Sequence, residues 1–177
     1  MKYLAIILTA LCLLVATVIS NEARKSNQAK VVDIELIYRQ NLQDSILATG
    51  WYFILENENG FKRQLEKTDE WYFIDPKPIL LKEHFAVIEI QKTNYRGKYE
   101  DYEYIAMQVY DQFKGIWADA TEKSLGNRLG LVINNKLVSN PMVNARIEGG
   151  WSNLSNRNYN RVELEAFIKQ LTVDKFE

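Results

Sequence analysis

The most informative part of the chain reads Trp117-Ala-Asp-Ala-Thr-Glu-Lys-Ser-Leu-Gly-Asn-Arg-Leu-Gly-Leu-Val-Ile-Asn-Asn-Lys-Leu-Val-Ser-Asn-Pro141, followed by Ala145-Arg-Ile-Glu-Gly-Gly150 and an amphipathic segment that reaches Leu171. Glycines, a proline and paired asparagines divide it into short segments of different hydrophobic period. The order of these segments predicts a helix, a glycine stop, a strand, an Asn-Asn turn, a strand, a proline break, a strand, a Gly-Gly bend, a strand and a last helix.

Side-chain spacing predicts the two helices of this region. Apolar residues recur at helical intervals at Phe113, Trp117 and Ala120. Gly126 stands where a helix needs a left-handed closing residue. Near the end, Asn160 precedes Glu163 at the spacing of an N-cap and its reciprocal partner. The residues behind this cap form one apolar stripe, made of Leu164, Phe167, Ile168 and Leu171.

The upstream half alternates apolar and polar residues, which is typical of strands. We predict strands over residues 31–37, 51–55, 70–74, 84–90 and 102–110. Residues 61–65 are predicted to form a strand that pairs with 51–55. The segment Asp75-Pro76-Lys77-Pro78 is predicted to end the strand over residues 70–74. Residues 39–47 are ambiguous, although they have a helical apolar face. The fold class predicted is α+β, a mostly antiparallel sheet with two or three helices in one domain, residues 31–177.

The first residues have the layout of an export signal. Lys2 precedes an apolar run over residues 3–19, and Ser20 closes it, so residues 1–20 are predicted to be a signal peptide or an uncleaved membrane anchor. The run is short for a spanning helix, which needs about 20 residues. Residues 21–30 are predicted to be a polar tether. We therefore expect an exported protein, periplasmic or otherwise extracytoplasmic, with membrane anchoring through residues 3–19 as the open alternative.

Composition and motifs argue against several kinds of function. The chain has 22 Lys plus Arg, 23 Asp plus Glu and one His, a balance without the basic excess that nucleic-acid binding requires. His84 lacks partners for a metal site or a triad and is predicted to be structural or solvent-facing. No glycine-rich phosphate loop or nucleophile motif occurs, so we expect no cofactor and no enzyme. The alternative is a hydrolase of envelope material that uses the scattered carboxylates Asp33, Glu35 and Glu103.

Clustered aromatic residues are the remaining signal for a binding surface. Alternation along a strand should turn part of each cluster away from the core, and those rings can contact an extended polypeptide. The residues expected in this role are Trp51, Phe53, Trp71 and Phe73. The alternative is a sheet covered on both faces, in which these aromatics are ordinary core residues.

With these elements placed, residues 102–172 resemble the SecD/SecDF protein-export family, specifically the head subdomain of its first extracytoplasmic domain. The motif that carries the resemblance consists of Thr121, Gly126, Ser139, Pro141, Gly149 and Gly150. Asn134-Asn135 replaces the usual Asp-Gly turn, a change that preserves hairpin chemistry. Asn140 replaces the small residue before the proline. We interpret this motif as shaping the backbone and not as reacting.

The resemblance implies a non-enzymatic module that engages unfolded or secreted polypeptide, with Sec translocase components as further expected partners. No block of transmembrane helices follows residue 172, so we expect a stand-alone head without the proton-driven activity of the family. A purely structural envelope protein is the third hypothesis. It predicts a stable partner in place of an unfolded polypeptide.

Overall fold

A computed structural model of the protein describes residues 34–93, 102–155 and 158–172, all within one compact unit, Asp33–Glu177. The predicted export segment and tether, Asp33 and residues 94–101, 156–157 and 173–177 lie outside the described residues. Within the described ranges, no helix is long and apolar enough to cross a membrane. The elements are α1 (Ile34–Asp44), β1 (Gly50–Leu55), β2 (Phe61–Gln64), β3 (Trp71–Leu81), β4 (Phe85–Lys92), β5 (Glu103–Val109), α2 (Lys114–Lys123), β6 (Leu129–Ile133), β7 (Lys136–Ser139), β8 (Trp151–Ser155) and α3 (Arg161–Thr172).

Five antiparallel strands form a sheet that curls back on itself. Their order is β2-β3-β1-β6-β7, and the two edge strands meet through a bridge between Leu65 and Leu137. The Glu66 amide donates to the Leu137 carbonyl at 2.9 Å, which extends this contact. A small apolar cluster fills the inner side of the curl: Leu47, Tyr52, Leu65, Ile74, Val132 and Leu137. The sheet therefore has its own core, separate from the main one.

The main core lies between the outer face of this sheet, a second sheet and two helices. The second sheet has the order β4-β5-β8 and is antiparallel throughout. Helices α2 and α3 add Trp117, Ala120, Leu164 and Leu171 to the core. The sheets contribute Trp51, Leu129, Leu131, Ile133, Phe85, Ile105, Met107, Val109 and Leu154. The α+β class predicted from the sequence is confirmed.

The turn and cap chemistry predicted from the sequence is present. Asn134 and Asn135 have φ values of 48° and 64°, as a two-residue hairpin turn between β6 and β7 requires. Gly126 has φ 75° beyond the end of α2. At the start of α3, the Asn160 amide donates to Glu163 Oε2 at 2.8 Å, and the Glu163 amide donates to Asn160 Oδ1 at 3.1 Å. These local signals needed no tertiary information.

Three predicted strand features are wrong. The described part of residues 31–37 belongs to helix α1, which packs against β3 and whose Asn41 Nδ2 donates to the Pro76 carbonyl at 2.9 Å. Strand β2 pairs with β3 and not with β1, because β1 lies between β3 and β6. Between Pro141 and Gly149 there is no strand, only bridges at Met142 and Val143.

A fourth expectation is also wrong, because the two prolines do not end β3. The strand continues through Pro76 and Pro78 to Leu81. Register shifts on either side of Tyr52, which pairs with Pro78, interrupt the ladder between β1 and β3. A proline has no amide hydrogen to donate, and such irregularities accommodate it without breaking the strand.

His84 lies in a buried turn just before β4. It ends the short 3₁₀ helix Lys82–His84, its Nδ1 accepts from the Leu81 amide at 3.2 Å, and its ring stacks on Phe113 with 4.0 Å between centroids. This surrounding is that of a core residue. Of the two roles predicted from the sequence, structural or solvent-facing, the structural one agrees with this burial.

Asn135 should contribute more to stability than its neighbour Asn134. Asn135 Oδ1 accepts from the Leu47 amide at 3.0 Å and from Arg63 Nη2 at 2.7 Å, which ties the hairpin to β2 and to the segment before β1. Asn135→Gly keeps the turn but leaves these donors unpaired, so we expect urea denaturation to show a loss of about 1–3 kcal/mol in the free energy of unfolding. Asn134→Gly is the matched control and should change it by less than about 0.5 kcal/mol. An equal loss in the free energy of unfolding at both positions would contradict the role of the Asn135 side chain in joining these segments.

Candidate functional site

The four aromatic residues expected to bind polypeptide do not form one surface. Trp51 is 1% exposed and belongs to the main core, where its ring centroid lies 5.4 Å from that of Trp117. The expectation that Trp51 points outward is therefore wrong, because α2 and the second sheet cover this end of β1. Phe53 and Phe73 are half-buried. Trp71 is 55% exposed, with Lys62 Nζ 5.1 Å from its ring centroid.

A cavity of about 630 Å³ lies beside β8, and we call it the β8 groove. Three of its lining residues, Trp51, Trp117 and Leu129, belong to the main core and are at most 3% exposed, and we call them the floor of the groove. One wall is β8 itself and the other is the segment 141–147. The residues that line it are Trp51, Gln91, Tyr104, Ala106, Trp117, Thr121, Leu129, Pro141, Met142, Val143, Asn144, Ala145, Ile147, Trp151, Ser152 and Asn153. None of these residues carries a formal charge, so the groove offers an apolar and neutral surface.

A second cavity of about 590 Å³ continues along the same strand. It shares Pro141, Met142 and Asn153 with the β8 groove and extends past Leu154 and Ser155. Tyr159 lines it, and the Tyr159 hydroxyl donates to the Val138 carbonyl at 2.9 Å. Burial, reinforced by the charge of Glu66, raises the pKa of Tyr159, which keeps the hydroxyl a neutral donor. Together the two cavities follow the whole length of β8.

Two apolar side chains at the rim of the groove are accessible. Trp151 is 41% exposed and Met142 is 51% exposed, one on each wall. The Trp117 indole Nε1 donates to the Trp151 carbonyl at 2.9 Å, which holds β8 against α2. Methionine and tryptophan at a groove rim are suited to contact with varied apolar partners. Neither residue was predicted from the sequence to bind a partner, although Trp151 directly follows the Gly149-Gly150 bend.

Thr121 fixes the far wall of the groove. It is fully buried, and its hydroxyl donates to the Ala118 carbonyl at 2.9 Å and accepts from the Ile147 amide at 2.9 Å. One side chain therefore joins helix α2 to the segment 144–147. Thr121, which belongs to the motif that resembles SecD, therefore has a structural role: it holds this wall in place.

The other motif residues lie at the ends of the two walls and hold them in position. The Pro141 carbonyl accepts from the Leu129 amide at 3.2 Å, and the Gly126 amide donates to the Val143 carbonyl at 2.9 Å. Gly150 has φ 72°, and a Cβ there would lie 2.7 Å from Val109 Cγ2. The Gly149 carbonyl accepts from Gln108 Nε2, and Ser139 pairs with Leu131 at the end of β7. All of these hydrogen bonds and strand pairings involve main-chain groups of the motif residues.

The carboxylates named for the hydrolase alternative form ion pairs on different elements. Glu35 lies 3.1 Å from Lys77 Nζ, and Glu103 lies 2.7 Å from Arg161 Nη1, measured between charged atoms. Asp33 is outside the described residues. Across residues 34–93, 102–155 and 158–172, no group of three or more His, Cys, Asp and Glu side chains could hold a metal ion. The described residues thus give no support to a paired-carboxylate site.

Comparison with known proteins places the fold. No protein-family model matches the chain, and no curated protein does either. One match is a solved structure of the membrane component SecDF, which enhances protein export. The match covers 75% of this chain and 66% of the SecDF chain, at 13% identity and a TM-score of 0.52. A second match is SecDF in a super-membrane-facing form. It covers 73% of this chain and 19% of that SecDF chain, at 13% identity and a TM-score of 0.50. The chain thus spans less than two thirds of either SecDF chain, and at this identity the likeness establishes a SecD-like fold.

Proposed function

We propose that the protein is a non-enzymatic, extracytoplasmic module of protein export that binds unfolded or secreted polypeptide in the β8 groove. The observation that carries the proposal is the groove itself: a neutral, tryptophan-floored channel beside a sheet edge. Its walls are positioned by the motif residues that resemble the SecD head. Sec translocase components are the second class of partner, since the matched SecDF structures belong to a component that enhances protein export.

The dimensions of the groove suit an extended chain. Strand β8 has five residues, and a strand rises about 3.3 Å per residue, so the edge is roughly 16 Å long. The two cavities beside it follow that length. A stretch of extended polypeptide fits such a site, whereas folded proteins present few extended apolar segments. The predicted export segment, residues 1–20, would place the module on the outer side of the membrane.

The binding test uses the full chain in detergent micelles with a labelled, permanently unfolded polypeptide, followed by fluorescence anisotropy. Trp151→Ala removes an exposed apolar contact at the rim, and we expect affinity to fall by about tenfold, the effect typical of an aromatic hot spot. Trp71→Ala is the matched control, because Trp71 is also exposed but lies outside the groove. Thermal unfolding of both variants checks that the fold is retained.

The outcomes separate the candidate surfaces and functions. If only Trp71→Ala weakens binding, the site is the surface around Trp71 and Phe73 expected from the sequence. An unfolded polypeptide that does not bind at all would overturn the proposal. In that case a stable, stoichiometric envelope partner would favour a structural role. Turnover of envelope material would favour the hydrolase.

A further inference from the structure

Strand β8 ends its sheet with a row of main-chain groups that face the groove. On one side, the Val109 amide donates to the Gly150 carbonyl at 3.1 Å, so Gly150 faces β5. On the other side, the Trp151 carbonyl accepts from Trp117. Because main-chain groups alternate along a strand, those of Trp151, Asn153 and Ser155 point away from β5. Among the described strands, none lies beyond β8 on that side.

The opposite wall presents main-chain groups of its own. The Pro141 carbonyl accepts from Leu129, and the Val143 amide donates to the Asn127 carbonyl at 2.8 Å. The same alternation turns the amide and carbonyl of Met142 away from residues 127–129. Asn153 and Met142 line the same cavity. The groove therefore lies between two segments of extended backbone.

Two buried polar side-chain atoms of the described groove residues make no hydrogen bond. Among the described residues, the Trp51 indole Nε1 and the Ser152 hydroxyl are buried without a hydrogen-bond partner. Both residues line the groove, and Trp51 is 1% exposed. A buried donor left unpaired is unfavourable, so a ligand that supplies carbonyl oxygens gains binding energy here.

We propose that a segment of unfolded polypeptide adds to the free edge of β8 as an extended strand, recognised through its main chain. This inference rests on the proposed function and specifies its binding mode. Main-chain hydrogen bonds give such binding its affinity, and pockets for alternate side chains give it selectivity. The lining of the β8 groove carries no formal charge, whereas the second cavity is also lined by Arg128, so charged side chains placed in the groove itself would lose hydration without gaining a partner. The part of the bound segment that lies in the groove is therefore uncharged, with alternate apolar side chains on the floor of Trp51, Trp117 and Leu129.

Backbone methylation tests the binding mode on the full chain. The probe is a nine-residue peptide of alternating leucine and serine, which fixes the face that meets the groove floor. Two isomers carry N-methyl groups on the leucines or on the serines. The isomer whose methylated amides face β8 should bind at least about tenfold more weakly than the parent. The other isomer should lose clearly less affinity, since its methyl groups face the opposite wall, where only Met142, among the described residues, turns its main-chain groups into the groove.

Two variants of the protein provide independent readouts. Asn153→Pro removes one edge amide while leaving the β5 ladder intact, because proline is tolerated on an edge strand. Trp51→Phe keeps an aromatic ring and removes the indole donor. Both should weaken the parent peptide severalfold. Hydrogen exchange of the Asn153 and Ser155 amides in the unmodified protein should slow when peptide is added.

The results distinguish this inference from the proposed function. If both methylated peptides bind like the parent, strand addition is overturned while polypeptide binding stands. If neither peptide nor unfolded polypeptide binds, the proposed function fails as well. A dimer in analytical ultracentrifugation that Asn153→Pro dissociates would overturn the inference in favour of a second copy on this edge.

Discussion

Replacing Trp51 with alanine is expected to lower the free energy of unfolding by about 3–5 kcal/mol, the cost of removing a fully buried large aromatic side chain. Trp51 is 1% exposed and packs against Trp117 in the main core. The substitution leaves a cavity at the point where the two sheets and α2 meet. Urea denaturation, with the slope compared between variants, measures this loss directly.

Trp71→Ala is the matched control for that experiment. Both tryptophans belong to a Trp-Tyr-Phe sequence on a strand, yet Trp71 is 55% exposed. We expect its loss to cost less than about 1 kcal/mol, as for surface substitutions in general. A similar loss in the free energy of unfolding for both variants would contradict the assignment of Trp51 to a buried face and of Trp71 to an exposed one.

Gly50→Ala is expected to be the second most damaging single change, with a loss of about 3 kcal/mol, at the upper end of overpacking effects. A Cβ at Gly50 would lie 2.1 Å from the Leu80 carbonyl oxygen and 3.1 Å from Leu81 Cα. These are main-chain atoms of the neighbouring strand, so neither can move without disturbing the ladder between β1 and β3. Thermal and urea unfolding would both report the change.

Gly115→Ala serves as the opposite control for the glycine series. Gly115 lies in α2, and a Cβ there would meet nothing within 4 Å. Alanine is the better helix former, so this variant should gain about 0.5–1 kcal/mol. A stabilising effect at Gly50, or a strong loss at Gly115, would be incompatible with the described backbone.

The sequence predicts elements well where the signal is local. The Asn134-Asn135 turn, the Gly126 conformation and the Asn160–Glu163 cap each depend on a few neighbouring residues, and all three are present. The resemblance of residues 102–172 to the SecD head predicted the fold that the structural comparison supports. These features are set by backbone preferences that travel with the residue type.

The wrong predictions depend on contacts between distant parts of the chain. Helix α1 is held by Asn41, which bonds to the Pro76 carbonyl and to the Ala48 amide, and alternation at residues 31–37 carries no trace of that contact. The partner of β2 could not be predicted either, because strand order is a property of the whole sheet. Tertiary contacts outweigh local pattern in both cases.

The groove was the part of the candidate site least accessible to sequence reasoning. Alternation predicts that Trp51 and Tyr52 face opposite sides of β1, but it cannot say which side another layer will cover. The curled sheet encloses Tyr52, and the second sheet with α2 encloses Trp51. The accessible aromatic of the groove, Trp151, comes from an edge strand that looks unremarkable in the sequence. Its importance follows only from what lies beside it.

The central claim is that unfolded polypeptide binds along the free edge of β8. Site-specific photo-crosslinking tests it most directly, with a photoreactive residue placed at position 153 or at position 71 of the full chain and a labelled unfolded polypeptide added. We predict a crosslink from position 153, suppressed by an excess of unlabelled uncharged peptide, and none from position 71. A crosslink from position 71 alone, or from neither position while binding persists, would contradict the account.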